Sequence, residues 1–401
     1  MKLKDLKFKA YLLFTIFLIV SCQSKHPENH DEVSLSASPI KVPANFREAR
    51  WQMDPRAVLT RSDENGFDSH VVGDPCIVWD EEIHTWRMFY FAMGRAEDGE
   101  ELLSTGMAKS KSAEEIGPGD WEKLGQVEIS NPEDFTYEIG WHKWWVIMDA
   151  YKPNRAAKIE EKYWSVFTCT TPNEQGGKNK FIQVAFANRL AGPWTVVKQP
   201  VLSPDENWFD GLHCDTPTAY WVKDENKVAI FYKAYPKYAQ QEQKESEFGS
   251  GTVLAWWHPS RAEAEKVKIL QRPGQSKAWN QGWMSTPQVF YDKHNKQWYG
   301  LINGSPTSPA DESHREPAPS LGGWVISGPE GLESLWSPDT VNSPFRYPED
   351  LNQAELDGGI GVNFWRHHLL ATPGGKARIF FNSGQYGTEQ MYSMEMQSFD
   401  R

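Results

Sequence analysis

The feature that most constrains this chain is one pattern of residues that returns five times, at a spacing of about 70 residues. The copies begin at residues 73, 144, 214, 284 and 361. Each copy has a run of alternating bulky residues, then a charged or glycine-containing turn, then a second alternating run, which is typical of a β-hairpin. The sequence therefore predicts a repeat architecture built from β-hairpins.

The segments between the hairpins repeat as well. Residues 104–123 and 182–197 each read as a third strand followed by a Gly-Pro turn with a nearby tryptophan, and residues 322–336 are a weaker copy. Three to four strands in each of five units predict an all-β, five-bladed β-propeller. One domain over residues 45–401 accommodates all five units. A β-sandwich, or a pair of them, is the alternative, but regular units with paired hairpins favour radial repetition.

The first 22 residues have the pattern of an export signal. Four lysines precede an apolar run from Tyr11 to Val20, which is too short to span a bilayer as a mature helix. The sequence "LIVSC" that ends at Cys22 resembles a bacterial lipobox, which implies removal of residues 1–21 and lipidation of Cys22. Residues 22–44 read as a flexible tether. We expect a lipid-anchored protein on the periplasmic or cell-surface side, with the outer membrane favoured because Gln23, not aspartate, follows the cysteine.

The charge and the cysteines exclude several classes of function. Because residues 1–21 carry four lysines and one aspartate, their removal takes the formal charge from −12 to −15. A surface this acidic argues against a nucleic-acid groove. No CxxC or Cys/His spacing is present, so Cys76, Cys169 and Cys214 are predicted to be buried apolar residues and no metal site is expected. A channel calcium ion has no motif to support it.

Carboxylates recur where the inner strands of the predicted blades begin. In a propeller, these strand entries converge at one mouth of the channel. The five entries carry Asp74, Asp149, Asp215, Ser285 and the stretch Glu355-Leu356-Asp357. Closely spaced carboxylates raise at least one pKa, which suits an acid and base pair near neutral pH.

At this point the sequence resembles the five-bladed propeller glycoside hydrolases of families 43, 32, 68 and 117. The motif "GDPCIVW" carries the resemblance, because members place an aspartate inside "DP" on the first inner strand. The resemblance implies that Asp74 is the base of an inverting enzyme or the nucleophile of a retaining one. It also implies a second aspartate that tunes the site, and a general acid, usually a glutamate two residues before a proline.

The general acid departs from this pattern. "CDTP" places Asp215 two residues before a proline, but on the third blade, where the family more often keeps the tuning aspartate. The fourth blade reads "MSTP" and offers only Ser285. Asp215 ranks first as the acid, Glu355 second and His314 third, the last because histidine also serves as a general acid. Asp357, and Glu316 in the loop with His314, are further candidates.

Other residues near the predicted mouth are candidates for substrate binding. His70 and His213 precede Asp74 and Asp215, so each is placed to hydrogen-bond a sugar hydroxyl or a carboxylate. Most of the 19 tryptophans belong to the core, but Trp208 and Trp283 come just before inner strands and are predicted to stack on sugars. Asp68 and Asp210 recur in a repeated "FD" and are expected to tie the blades together.

The sequence therefore predicts a hydrolase of glycosidic bonds in an extracellular poly- or oligosaccharide, with no cofactor and no protein partner. Asp74 acts as base or nucleophile, and Asp215 or Glu355 protonates the leaving oxygen. Two other classes remain open. A carbohydrate-binding surface lipoprotein would keep the architecture without the acid, and a propeller that binds protein partners would lack clustered carboxylates at the mouth.

Overall fold

The computed structural model describes residues 44–399, except for 97–98, 135–138, 173–177, 237–248, 273–277, 307–319, 342, 344, 346–363 and 385–386. The described part begins with a five-residue helix, α1 (Ala44–Glu48), which leads into β1 (Ala49–Leu59). No helix in these ranges is both long and apolar enough to cross a membrane. Cys22 and residues 1–43, including the predicted signal and almost all of the predicted tether, lie outside the described residues.

Four blades follow in chain order. Blade 1 contains β2 (Val71–Asp80), β3 (Thr85–Arg95), β4 (Glu101–Ser110) and β5 (Trp121–Gln126). Blade 2 contains β6 (Gly140–Val146), β7 (Met148–Asp149), β8 (Lys158–Ile159), β9 (Lys162–Pro172), β10 (Lys178–Ala187) and β11 (Thr195–Val196). Blade 3 contains β12 (His213–Val222), β13 (Lys227–Tyr235), β14 (Gly251–Trp257) and β15 (Glu265–Gln271). Blade 4 contains β16 (Trp283–Met284), β17 (Gln288–Asp292), β18 (Gln297–Ser305), β19 (Leu321–Ser327) and β20 (Trp336–Pro338).

The fifth blade is completed by the other end of the chain. It contains β21 (Trp365–Ala371), β22 (Ala377–Ser383) and β23 (Gln390–Phe399), and β1 pairs antiparallel with β23 as its fourth strand. Short 3₁₀ helices lie at Pro132–Asp134, Lys223–Glu225 and Gly331–Glu333. The fold is a five-bladed β-propeller, as the repeat predicts.

The inner strands form a closed ring of contacts. The links are Val146 N–H to Cys76 Sγ at 3.3 Å, Lys143 Nζ to Thr216 Oγ1 at 3.0 Å, Thr218 Oγ1 to the Pro287 carbonyl at 2.8 Å, Leu369 N–H to Gln288 Oε1 at 2.6 Å, and Ile77 N–H to His368 Nε2 at 3.3 Å. These links join each blade to the next and the fifth to the first. Radial closure therefore gives all five strand entries one common mouth.

Tryptophans fill the spaces between blades. Trp144 on β6 stacks on Phe167 of its own blade and on Phe89 of blade 1, with ring centroids 4.6 and 6.3 Å apart. Trp194 meets Trp144 edge-on at 5.3 Å. Burial of these rings is favourable by roughly 25 cal/mol per Å² of apolar surface removed from water. The abundance of tryptophan thus reflects packing between sheets.

Candidate active site

The same backbone irregularity occurs near the start of four inner strands. The pairing of the inner strand with its neighbour shifts register between Gly73 and Cys76, His142 and Trp145, Asp215 and Thr218, and Trp365 and His368. Inside these bulges, one residue has a positive φ: Asp74 at 45°, Lys143 at 59°, Thr216 at 49° and Arg366 at 40°. In blade 4 the break between β16 and β17 falls at the corresponding place.

Left-handed backbone is unfavourable for residues other than glycine and clusters at functional sites. A bulge also changes the direction of a side chain relative to regular pleating. Four strained positions at equivalent places in the ring therefore define the mouth of the channel more sharply than the strand entries alone. They bring one carboxylate, two cations and a threonine to it.

Asp74 is held by its backbone and has its carboxylate unpaired. Its N–H donates to Asn382 Oδ1 at 3.1 Å, and the residue is 7% exposed. Gly73 makes this approach possible, because a Cβ there would lie 2.4 Å from Asn382 Cγ. Among the described residues, the Asp74 carboxylate has no hydrogen-bond or salt-bridge partner. An unpaired carboxylate in a fixed position suits a base or a nucleophile.

Asp215 is fully buried and tightly held. Lys180 Nζ donates to Oδ2 at 2.7 Å, Lys143 Nζ lies 3.2 and 3.3 Å from the two oxygens, and Thr168 Oγ1 donates to Oδ1 at 3.0 Å. Burial raises the pKa of Asp215, but the charges of Lys143 and Lys180 outweigh it and hold the pKa well below its usual range. An aspartate that stays ionised has no proton to give. This corrects the ranking of Asp215 as the general acid.

Asp149 lies at the other end of the blade. β7 pairs parallel with β12, so that Asp149 lies opposite Trp221, six residues beyond Asp215. Six residues of strand span roughly 20 Å. The Asp149 carboxylate accepts the Tyr151 N–H at 2.9 Å and lies 3.7 Å from Lys152 Nζ, as in a surface turn. The placement of Asp149 at the mouth is therefore wrong, and Lys143 is the residue of blade 2 equivalent to Asp74.

The predicted substrate-binding residues have mixed placements. His70 and His213 are half-buried, and burial together with Lys180 lowers the pKa of His213 to about 4. Trp208 is half-buried, with Lys266 Nζ 5.7 Å from its ring centroid. Trp283 is only 2% exposed and stacks on Trp365 with centroids 5.4 Å apart. A ring this buried is core, which corrects its prediction as a sugar platform.

The remaining acid candidates of the sequence lie outside the described residues: His314, Glu316, Glu355 and Asp357. In blade 4, Ser285 is buried and its carbonyl accepts Thr252 Oγ1 at 2.6 Å. Thr286, the next residue, donates from Oγ1 to the Thr216 carbonyl at 2.8 Å. Neither side chain offers a proton with a pKa near neutrality.

Asp68 and Asp210 have the same structural role in blades 1 and 3. Asp68 accepts Tyr90 Oη at 2.9 Å and Lys123 Nζ at 2.6 Å. Asp210 accepts Tyr232 Oη and Lys266 Nζ, both at 2.7 Å. Each aspartate binds strands of its own blade, so the expectation that they tie different blades together is wrong, although both remain outside the site.

Two groups at the mouth have no sequence motif. Arg366 is buried, donates from Nη2 to the Pro217 carbonyl at 2.6 Å and lies 5.0 Å from the Trp145 ring centroid. Its charge interacts with both Asp74 and Asp215. The Arg366 guanidinium therefore supplies fixed positive charge next to the two carboxylates.

Glu389, just before β23, is the second of these groups. It is 5% exposed, its Oε2 accepts the Gly387 N–H at 2.9 Å, and its carbonyl accepts the Val72 N–H at 3.1 Å. Burial, with a further contribution from the charge of Asp74, raises the pKa of Glu389 to about 7, although backbone N–H groups act in the opposite direction. Glu389 is therefore a carboxyl that is still partly protonated near neutral pH.

Metal and thiol chemistry have no support in the described residues. No three histidine, cysteine, aspartate or glutamate side chains there come together as a metal site. Cys76, Cys169 and Cys214 are free and buried, and burial raises the pKa of Cys76 to about 12. These thiols pack as small apolar residues.

Comparison with solved structures identifies proteins of similar fold. A thermostable family-43 glycoside hydrolase matches with 15% identity and a TM-score of 0.55, over 85% of this chain and 94% of that one. An endo-arabinase from Bacteroides thetaiotaomicron matches with 12% identity and a TM-score of 0.52, over 85% and 99%. A family 117 glycoside hydrolase from Zobellia galactanivorans matches with 12% identity and a TM-score of 0.52, over 86% and 90%. No protein-family model and no curated protein sequence matches the chain. The chain therefore has the five-bladed propeller fold of these glycoside hydrolases.

Proposed function

We propose that this protein hydrolyses glycosidic bonds at the mouth of its propeller. The observation that carries the proposal is the contrast between two buried aspartates. Among the described residues the Asp74 carboxylate has no hydrogen-bond or salt-bridge partner, and it lies on a strained bulge, whereas Asp215 is held as an anion by Lys143 and Lys180. In a glycosidase, carboxyl groups with different surroundings take different roles, and here one is placed to act on the substrate while the other is held by two cations.

In the proposed reaction, Asp74 acts on the sugar carbon. It removes a proton from the attacking water in an inverting mechanism, or attacks the carbon itself in a retaining one. Asp215 accepts hydrogen bonds from Lys143 and Lys180 and offsets their positive charge. Without that anion, the two ammonium groups would oppose the positive charge that develops on the sugar in the oxocarbenium-like transition state.

The proposed substrate is a poly- or oligosaccharide. Arabinan belongs in any test, since one of the similar structures is an endo-arabinase. The half-buried rings of His213 and Trp208 offer a hydrogen-bonding group and an apolar surface near the entry of β12. A mouth that combines polar and aromatic groups is suited to sugars.

A carbohydrate-binding protein without activity is the second candidate. It is favoured by blade 4, where the described residues place only Ser285 and Thr286 at the position of Asp74. The two functions differ in a single experiment on wild-type protein. The protein is incubated with a panel of plant, algal and bacterial glycans, and both the released reducing ends and the calorimetric binding are measured. The hydrolase proposal predicts that at least one bound glycan is cleaved. Binding to panel members without release of sugar from any of them would support the binding protein.

We also propose that the protein is exported and anchored through lipid on Cys22. The support is the basic, apolar and small-residue pattern of residues 1–21. Expression in a bacterial host with a radiolabelled fatty acid tests it: label is expected in wild-type protein and absent from the Cys22→Ser variant. Equal labelling of both would contradict the anchor.

A further inference from the structure

We infer that Glu389 is the proton donor of this active site, an assignment that rests on the hydrolysis proposed above. None of the acid candidates suggested by the sequence fills this role within the described residues. Glu389 lies on blade 5, just before β23, and belongs to no recognisable motif. Its assignment comes from its position beside Asp74.

The backbone places Glu389 next to the strand that carries Asp74. The Val72 N–H donates to the Glu389 carbonyl at 3.1 Å, and Asp74 follows Val72 by two residues on β2. Two residues of strand cover about 7 Å. Asn382, which accepts the Asp74 N–H, pairs on β22 with Met391 of β23, two residues beyond Glu389. Blade 5 thus contacts β2 twice, at Val72 through Glu389 and at Asp74 through Asn382.

The surroundings of Glu389 favour its protonated form. Its carboxyl accepts backbone N–H groups, among them that of Gly387 at 2.9 Å, which favour the ionised form, but no lysine or arginine of the described chain pairs with it. Burial is the largest cause of its raised pKa of about 7, and the Asp74 charge adds to it. Asp215, by contrast, has two lysine partners. At neutral pH Asp215 is therefore ionised, whereas about half of Glu389 keeps its proton.

Charged groups near Glu389 line a cavity of about 520 Å³. Thr388 and Gln390, which flank Glu389, line this cavity together with Arg61, Asp63, Glu64 and His70, whereas Glu389 is not one of its lining residues. The charged group that acts on Glu389 from β2 is Asp74.

The proposed step balances. The Glu389 carboxyl gives its proton to the glycosidic oxygen while the bond between that oxygen and the sugar carbon breaks, and the electron pair of the bond remains on the oxygen of the neutral leaving alcohol. In the inverting case, water forms the new bond to carbon and loses its proton to Asp74. In the retaining case, Asp74 forms an ester to the carbon, and water then cleaves it and returns a proton to Glu389.

The test compares leaving groups that need a proton with one that does not. The substrates are the methyl glycoside and the 2,4-dinitrophenyl glycoside of the sugar released in the glycan panel, along with the panel glycan itself. The enzymes are wild type, Glu389→Gln, and Glu395→Gln as a control on the same strand. Glu395 pairs with Arg378 at 2.5 Å and is outside the proposed site.

We expect Glu389→Gln to lose about 10²- to 10⁴-fold in kcat/KM on the glycan and the methyl glycoside, the range typical of general acid catalysis. On the dinitrophenyl glycoside it should stay within about fivefold of wild type, because that leaving group departs as a stable anion. The fall in wild-type kcat/KM above a pH of about 7 should disappear in the variant. A merely structural role of Glu389 would reduce activity on all three substrates alike.

Two results overturn the assignment in distinguishable ways. If wild type and Glu389→Gln cleave all three substrates equally, or if the variant loses all three equally, the donor role is wrong while the proposed hydrolysis stands. If wild type releases sugar from no substrate, the hydrolysis itself fails and the donor role fails with it. If the Glu395→Gln variant keeps wild-type activity, the activity that Glu389→Gln loses is not explained by the loss of any carboxylate from this part of blade 5.

Discussion

Asp74 and Lys143 occupy the same position in successive blades, and both have left-handed backbone, with φ values of 45° and 59°. One of these equivalent positions carries a carboxylate and the next an ammonium group. Thr216 and Arg366 occupy the position in blades 3 and 5, with φ values of 49° and 40°. These four blades thus share the same bulge, and they differ in the side chain that the bulge presents at the mouth.

The ion pairs of Asp215 lead to a first prediction. Asp215→Asn leaves Lys143 and Lys180 without their buried anion, and breaking such a pair costs about 3–5 kcal/mol in the free energy of unfolding. Urea denaturation measures this loss. Adding Lys143→Met and Lys180→Met should recover most of it. As a control, Glu82→Gln removes an exposed pair with Arg189 and should cost less than about 1 kcal/mol. Equal stability of Asp215→Asn and wild type would contradict the account.

The close approach of Gly73 and Asn382 gives a second prediction. Gly73→Ala places a methyl group 2.4 Å from Asn382 Cγ, and overpacking of this kind costs about 1–3 kcal/mol. Asn382→Ala alone loses the hydrogen bond to the Asp74 N–H, worth about 1 kcal/mol. The double variant should be more stable than the sum of the single effects, because the methyl group then has space. Additive effects in thermal unfolding would show that the two residues are not in contact.

Glu389 gives a third prediction, on stability and pH. Its pKa is about 7 in the folded chain and about 4.5 without burial, so the folded state binds more protons between these values. Stability from this group is therefore lost as the pH rises from 4.5 to 7. Glu389→Gln should raise the free energy of unfolding above pH 7 by about 3 kcal/mol and leave it unchanged near pH 4. A constant difference at all pH values would contradict the raised pKa.

Buried histidines give a fourth prediction, of opposite sign. Burial lowers the pKa of His213 to about 4 and of His367 and His368 to about 3, and it lowers that of His142 well below 6.5. These rings bind protons more readily in the unfolded chain than in the folded one. The free energy of unfolding therefore decreases as the pH falls from 6.5 toward 4. Each contributes about 1.4 kcal/mol per pH unit in that window. Four histidines outweigh Glu389, so stability should rise with pH between 4.5 and 6.

Replacement of one ring checks this window. His367→Phe keeps an aromatic ring against Phe381, on which His367 stacks with centroids 5.4 Å apart. The slope of the unfolding free energy against pH should then decrease by the contribution of one histidine, about 1.4 kcal/mol per pH unit. An unchanged slope would mean that His367 does not titrate on unfolding.

The fold was predictable because hairpin alternation and turn residues are local and recur. The predicted starts of hairpins 1, 3 and 4, at residues 73, 214 and 284, fall within two residues of the starts of β2, β12 and β16. The predicted start of hairpin 5, at residue 361, lies outside the described residues. The mouth residue of blade 2 was harder to predict, because β7 and β8 are inserted between β6 and β9. The sequence prediction therefore took Asp149, near the insertion, in place of Lys143. A bulge that places a residue in left-handed backbone leaves no mark in the letters "WHKWW".

The site was only partly predictable for a related reason. Asp74 lies in a motif, and its prediction depended on the resemblance to known enzymes. The state of Asp215 depends on Lys143 and Lys180, which come from β6 and β10 and are 72 and 35 residues away. Glu389 depends on the meeting of the last blade with the first. Such contacts between distant parts of the chain are set by ring closure and cannot be read from spacing.

The proposed role of Asp74 as base or nucleophile is tested by the Asp74→Asn variant. The measurement is the turnover of the panel glycan, with calorimetric binding of the same glycan to the same protein. We expect a loss of about 10³-fold or more in kcat while Kd stays within about threefold of wild type, since asparagine keeps the shape and loses the carboxylate. An Asp74→Asn protein that turns over the glycan at the wild-type rate would contradict it.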